Sequence, residues 1–437
     1  MKSINLNFIV KKEILTTFFL RSISLILSFW LIPLTLKYLG NEDYGIWVVL
    51  LTIMSWITLF DIGVGNGLRN KLAQALVVND QDSCQNLIST AYCIISIISI
   101  FILFLLIIAI FLLRWEIIFN SNTLTLIEYR QLMLIFFSSV ILSFLFGLIY
   151  SILSAFQRAS YVNYGNIISS IIFITLLYFN SKNAYHNIIF ITFLYGISLL
   201  LSTLIITFLF FRKQKNLIPK LKNFQFKLTR EILTLGGSFF FIQIAVLLIF
   251  TVDSFMILQL LGPTHVTTYN IVYKLFSVFI AGFGIIMTPL WSAFTNAYHR
   301  EDKIWVLKTI KNLNILLIPL IFALLIFNIY YQSIINIWMP KYSNIVPPRN
   351  LIFVFSFFVL ISIWNNIYAY FLNGISETKV QTRTAIIGGI LNIPLVFLFV
   401  KYLNFGLSGV VLSMCFSLLP FSIFGPKEAF RFINKMK

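Results

Sequence analysis

Charge is what this chain has least of. Charged residues make up 11% of its 437 positions, where a soluble domain carries about 25%. So few cannot cover the surface of a soluble protein of this length, which excludes soluble enzymes and nucleic-acid binders. Histidine is scarcer still: His186, His265 and His299 lie scattered among predicted loops and form no metal-ligand cluster. Cys84, Cys93 and Cys415 are odd in number and show no metal or pairing spacing, which argues against a disulfide framework. No glycine loop ending in Lys-Ser/Thr occurs, so ATP hydrolysis is not supported. What remains is apolar: hydrophobic residues account for 59%, with 47 Phe among them. The net charge of +18 therefore reads first as the basic bias of membrane loops on the inside.

A membrane span needs about 20 apolar residues. Runs of that kind fall near 14–36, 44–66, 87–113, 131–153, 162–180, 188–211, 232–260, 266–290, 313–331, 350–372, 384–400 and 404–425. A charge-free run such as 87–113 must be helical, because an open strand edge in lipid leaves backbone groups unpaired. The start, MKSINLNFIVKKEIL, reads as a cytoplasmic tail rather than a signal peptide. With the N-terminus inside, inner segments hold 23 of the 32 Lys and Arg and outer loops hold 7. That bias predicts both termini in the cytoplasm. The densest basic stretch, RKQKNLIPKLKNFQFKLTR at 212–230, has seven positive residues and no acid. It is expected to anchor against anionic lipid as a linker between halves, with a specific binding loop as the sharper alternative.

The halves repeat. Gly40 and Gly262, Ala75 and Ala297, and Asp80 and Asp302 are each 222 positions apart. One offset serving separate landmarks predicts parallel six-helix repeats, as in transporters whose lobes rock about a central site. The expected layout is all-α: residues 1–211 as one six-helix lobe, 212–230 as a cytoplasmic linker, 231–425 as the second lobe and 426–437 as a tail, around a central cavity.

YLGNEDYGIW at 38–47, DIGVGNGLRNKLAQAL at 61–76 and PLWSAFTNAYHRED at 289–302 carry a resemblance. The chain resembles the polysaccharide transporter branch of the multidrug/oligosaccharidyl-lipid/polysaccharide exporter superfamily, and within it the O-antigen flippase (Wzx) type. The resemblance implies a cargo of undecaprenyl-pyrophosphate-linked oligosaccharide. It implies movement from the inner to the outer leaflet of a bacterial cytoplasmic membrane, and membrane lipids as surroundings. A polysaccharide polymerase or chain-length regulator of the same membrane is a candidate partner. No cofactor and no nucleic acid is implied. A cation-coupled drug or metabolite exporter of the same superfamily is the first alternative. A membrane polysaccharide polymerase is the second; it would need larger outer loops with clustered acid–base groups.

Four charges fall inside spans, where charges are costly and functional by default: Arg21, Asp61, Asp253 and Lys274. Counting helical rise puts Arg21 at the depth of Asp61, and Asp253 at that of Lys274. Either these are two buried ion pairs that pin helix hairpins, or they line a cavity. In the second case Arg21 and Lys274 meet pyrophosphate while Asp61 and Asp253 exchange ions. Asp61 opens a glycine-dense stretch followed by Asn66, Arg69 and Lys71. That stretch either binds an arriving phosphate or ends a helix with basic anchors. Gln243, Asn270, Asn365 and Asn366 are expected to bond neighbouring helices. Trp115, Trp291, Trp305 and Trp338 are expected at the interfaces. Trp30, Trp47, Trp56 and Trp364 are expected in the core ahead of a sugar-stacking role.

Overall fold

The computed structural model describes residues 6–57, 61, 63–78, 80–156, 158, 160–180, 187–234, 252–342, 345–375 and 377–436. Helices make up all the regular structure among them. Ten are long and apolar enough to cross a membrane, so the chain is a multi-pass membrane protein. The first of the ten is broken at Gly40, and Val252–Leu261 is a shorter apolar helix beside the ten. The chain divides into two compact units, Met1–Gln243 and Ile244–Lys437.

The first unit contains α1 (Leu6–Ile57), α2 (Val64–Val77), α3 (Gln81–Leu112), α4 (Trp115–Ile118), α5 (Leu126–Ala155), α6 (Tyr161–Phe179) and α7 (Ile188–Lys213). Polar residues set the helix starts. Asp80 accepts the Ser83 amide at the head of α3. Thr125 and Glu128 form a reciprocal capping box at the head of α5. α5 lies against α3 and α7, and α6 against α7 and α1. Lipid tails are as apolar as leucine, so helix pairing within a bilayer depends on close packing. Gly196 of α7 accordingly sits so near Ser139 of α5 that a methyl group there would collide with the serine hydroxyl. Trp47 is buried between Phe173 and Tyr195, as a core residue. Trp115 differs from expectation: it is buried, donates to the Ile110 carbonyl and packs on Phe137. The cause is the short α4 turn, which folds it inward.

The second unit contains α8 (Val252–Leu261), α9 (Pro263–His299), α10 (Lys303–Ile315), α11 (Leu317–Trp338), α12 (Arg349–Gly374), α13 (Lys379–Phe397) and α14 (Gly406–Lys435). α14 packs against α13 and α12, and α9 against α12. Gly388 of α13 meets the Ser417 backbone of α14 without room for a Cβ. Asn365 bonds a neighbouring helix as expected, donating to the Leu418 carbonyl and accepting from Ser422. α14 runs unbroken to Lys435, so residues 426–435 continue a helix instead of forming a separate tail.

The 222-residue repeat has a backbone counterpart. Gly40 has φ 75 and ψ −178, and Gly262 has φ 96 and ψ 168. This region is essentially closed to residues with a side chain. Asp80 and Asp302 each cap the following helix, accepting the Ser83 and Trp305 amides at 3.0 Å. The repeats part between these landmarks. α9 is one helix of 37 residues, whereas in its counterpart Gly63 takes a left-handed conformation before α2 starts at Val64.

Candidate functional site

The break between α1 and α2 is built by Asp61. Its carboxylate accepts the Gly63 amide at 2.7 Å and the Gly65 amide at 3.2 Å. Gly63 takes a left-handed conformation, φ 74 and ψ 12, at the start of α2. The glycine-dense stretch is therefore a helix start, where the sequence suggested a helix end or a phosphate loop. Two amides that a phosphate would need are occupied by the chain's own carboxylate. Gly65 lies so close to α5 that a Cβ would stand 2.6 Å from Ser151 Oγ. A Cβ on Gly67 would collide with the carbonyl of Ile232, in the helical stretch 226–234. Val64, Leu68 and Leu72 complete the packed face of α2, against Ile88 and Ile149. Arg69 is exposed away from that face and Asn66 is half-buried. Lys71 is tied to Glu231 at 2.8 Å.

Matched depth does not join Arg21 to Asp61 among the described residues. Arg21 is exposed on α1 and forms no ion pair with Asp61 among the described residues. The depth argument treated 44–66 as one helix, and the break at Asp61 re-aims that carboxylate towards backbone amides. Among the described residues, Asp253 and Lys274 form no salt bridge with each other. Lys274 is half-buried on α9 and engages other groups. Asp253 is 1% exposed on α8. Neither of its oxygens meets a donor with good hydrogen-bond geometry among the described residues. The Tyr269 hydroxyl lies beside it and Tyr273 is within electrostatic reach, while Tyr269 itself donates to Met414 Sδ at 3.6 Å.

A second buried orphan was not anticipated from sequence. Asn392 of α13 is 0% exposed, and both its amide nitrogen and oxygen lack partners among the described residues. An Asn thirteen residues after the helix start at Lys379 is the only sign it leaves in the sequence. α13 packs on α14, the helix that carries Met414. Gln243 lies outside the described residues, as does His186.

With this geometry in place, the relatives fit. The family model for polysaccharide biosynthesis protein matches residues 10–295, more than half of the chain. The chain belongs to that family. It is 28% identical to a Yersinia pseudotuberculosis protein named "Putative O-antigen export protein", over 91% of this chain and 90% of that one. Its fold is similar to an inward-facing multidrug resistance MATE family transporter of the MOP superfamily, with TM-score 0.77 and 14% identity, covering 95% of this chain and 96% of the other. It is also similar to the lipid II flippase MurJ in an inward closed conformation. There the TM-score is 0.72 and the identity 18%, covering 96% and 89%. At these identities the two structures speak for the fold, which is the helical one of MOP transporters.

Proposed function

We propose that this protein is a flippase for oligosaccharide carried on undecaprenyl pyrophosphate. It moves that cargo from the cytoplasmic to the outer leaflet of a bacterial cytoplasmic membrane, by alternating access driven by an ion gradient. The observation that carries the cargo is the near full-length likeness to a protein named for O-antigen export, within a polysaccharide biosynthesis family. These relatives are named for export and flipping, which supports a transporter rather than a polymerase or other enzyme.

Ion coupling is supported by Asp253. An ionised carboxylate shut away from water without a partner costs several kcal/mol, and a bound proton or cation removes that cost. Asp253 suits coupling better than Asp61, whose carboxylate is already held by two amides. Asn392 adds an amide oxygen with unused acceptor capacity. For the pyrophosphate, Arg21 and Arg69 are exposed guanidinium groups suited to bidentate contact, with Lys274 and Asn66 as further contacts. Twelve spans in two parallel repeats, with both termini cytoplasmic, belong to the same reading. Reporters fused after Lys215 and at the C-terminus should both report cytoplasm.

In a deletion strain, undecaprenyl-linked repeat units should accumulate on the cytoplasmic side and surface polysaccharide should disappear. Unchanged surface polysaccharide removes this cargo. The fold likeness to a multidrug transporter favours a drug or metabolite exporter as the second reading. Altered drug sensitivity in the same strain, with normal polysaccharide, would select it.

A further inference from the structure

The basic segment 212–230 is pinned along one edge by α3. Lys220 donates its amide to Ser89 Oγ at 3.1 Å, and Gln225 donates its amide to Thr90 Oγ1 at 3.1 Å. Gln85 donates to the Ile218 carbonyl at 3.1 Å and accepts from Asn223 at 2.8 Å. Leu217 is buried in the core cluster of the first unit, with Cys84, Leu87 and Ile88. The segment's backbone is therefore fixed at the level of α3 where its charge-free apolar run begins, at Leu87. Where an apolar run begins, a span passes from headgroups into acyl chains.

From this fixed edge the segment turns apolar side chains outward. Leu221 is 86% exposed and Phe226 80%, although neither belongs to a membrane span. Lys220, Lys222 and Lys227 are interleaved with them, all exposed. Large exposed apolar groups alternating with cations, at headgroup depth, match the chemistry of a segment lying in a membrane interface. Seven cations and no acid complement an anionic leaflet and no neutral one.

We infer that residues 212–230 form a lipid-binding strip on the cytoplasmic leaflet. Lys220, Lys222 and Lys227 meet the phosphates of anionic phospholipids, while Leu221 and Phe226 insert among the upper acyl carbons. The strip goes beyond the flippase reading and does not depend on it. It ties the cytoplasmic end of α3 to the membrane surface, whatever the cargo.

The test uses the full-length chain with its three cysteines changed to alanine, a single Phe226→Cys substitution and a nitroxide label. Because the side chain replaced is mostly exposed, the label does not disturb the core. In vesicles of phosphatidylglycerol, the label should be relaxed more by lipid-soluble oxygen than by a water-soluble nickel chelate. A label at Asn216→Cys should show the opposite order. In vesicles of phosphatidylcholine alone, the label at 226 should move towards the water-exposed pattern. The same shift should follow in phosphatidylglycerol when Lys220, Lys222 and Lys227 are all changed to Gln. A water-exposed label at 226 in phosphatidylglycerol overturns the inference and leaves the strip facing the cytosol, free for a protein partner. Equal insertion in both lipids overturns the anionic recognition.

Discussion

Lys71 and Glu231 stand 160 positions apart in sequence and 2.8 Å apart in space. The hydrogen bond and charge of Lys71 hold the Glu231 carboxyl below its ordinary value of 4.5. A carboxyl with a lowered value stabilises the folded form above the ordinary value, and that contribution is lost as pH falls through the lowered one. Both side chains are partly exposed, so the effect is small and weakened by salt. The protection of amides across residues 226–234, measured against their intrinsic exchange rate at each pH, should fall below about pH 4. Glu231→Gln should lower that protection already at pH 7. The swap Lys71→Glu with Glu231→Lys should bring it back. Protection that ignores both pH and substitution would mean that packing at Gly67 alone holds the contact.

Asp253 forms no salt bridge among the described residues. Asp253→Asn should therefore leave the amount and thermal stability of the protein unchanged or raised, while surface polysaccharide falls at least tenfold. Adding Lys274→Gln should change stability by the sum of the two single effects. Recovery of stability in the double variant beyond that sum would reveal a coupling between the two residues.

At the helix break the prediction concerns crowding. Gly67→Ala forces a methyl against the Ile232 carbonyl, and overpacking of this kind costs about 1–3 kcal/mol. Detergent-solubilised protein should melt at lower temperature. Gly65→Ala meets a movable serine hydroxyl instead, so Ser151→Ala should relieve part of its cost. If Gly67→Ala melts like the parent, the approach of 226–234 to α2 is looser than described.

Arg21 supplies the sharpest test of cargo contact. Arg21→Ala should abolish surface polysaccharide without reducing protein in the membrane, since Arg21 is exposed and holds no ion pair among the described residues. Arg21→Lys should restore only part, because an ammonium lacks the two-pronged fork. Loss of the protein itself would assign Arg21 a structural role.

The helices were legible because apolar runs leave lipid-facing backbone no other choice. The repeat was legible because Gly40, Gly262, Asp80 and Asp302 are residue types their backbone and capping positions demand. The pairing of Arg21 with Asp61 was misread for a physical reason. Depth counted at a constant rise assumes an unbroken helix, and the Asp-x-Gly-x-Gly stretch breaks it. That pattern, an acid followed by spaced glycines, was the available signal for a carboxylate that caps its own amides. Asn392 and the attachment of 212–230 to Gln85, Ser89 and Thr90 depend on which helix faces lie together. Local patterning carries no record of that.

The matched glycine knuckles at Gly40 and Gly262 carry an evolutionary consequence. A doubled gene begins with two identical halves, and each position then drifts unless something forbids change. A backbone angle that no side chain tolerates forbids change in both copies at once. Positions defined only by side-chain chemistry have no such protection, and Asp61 of one half faces Phe283 in the other at the same offset. The two glycine positions thus share one backbone geometry while the stretches that follow them differ. After Gly40 the chain turns at Gly63, and after Gly262 it runs on as one rod.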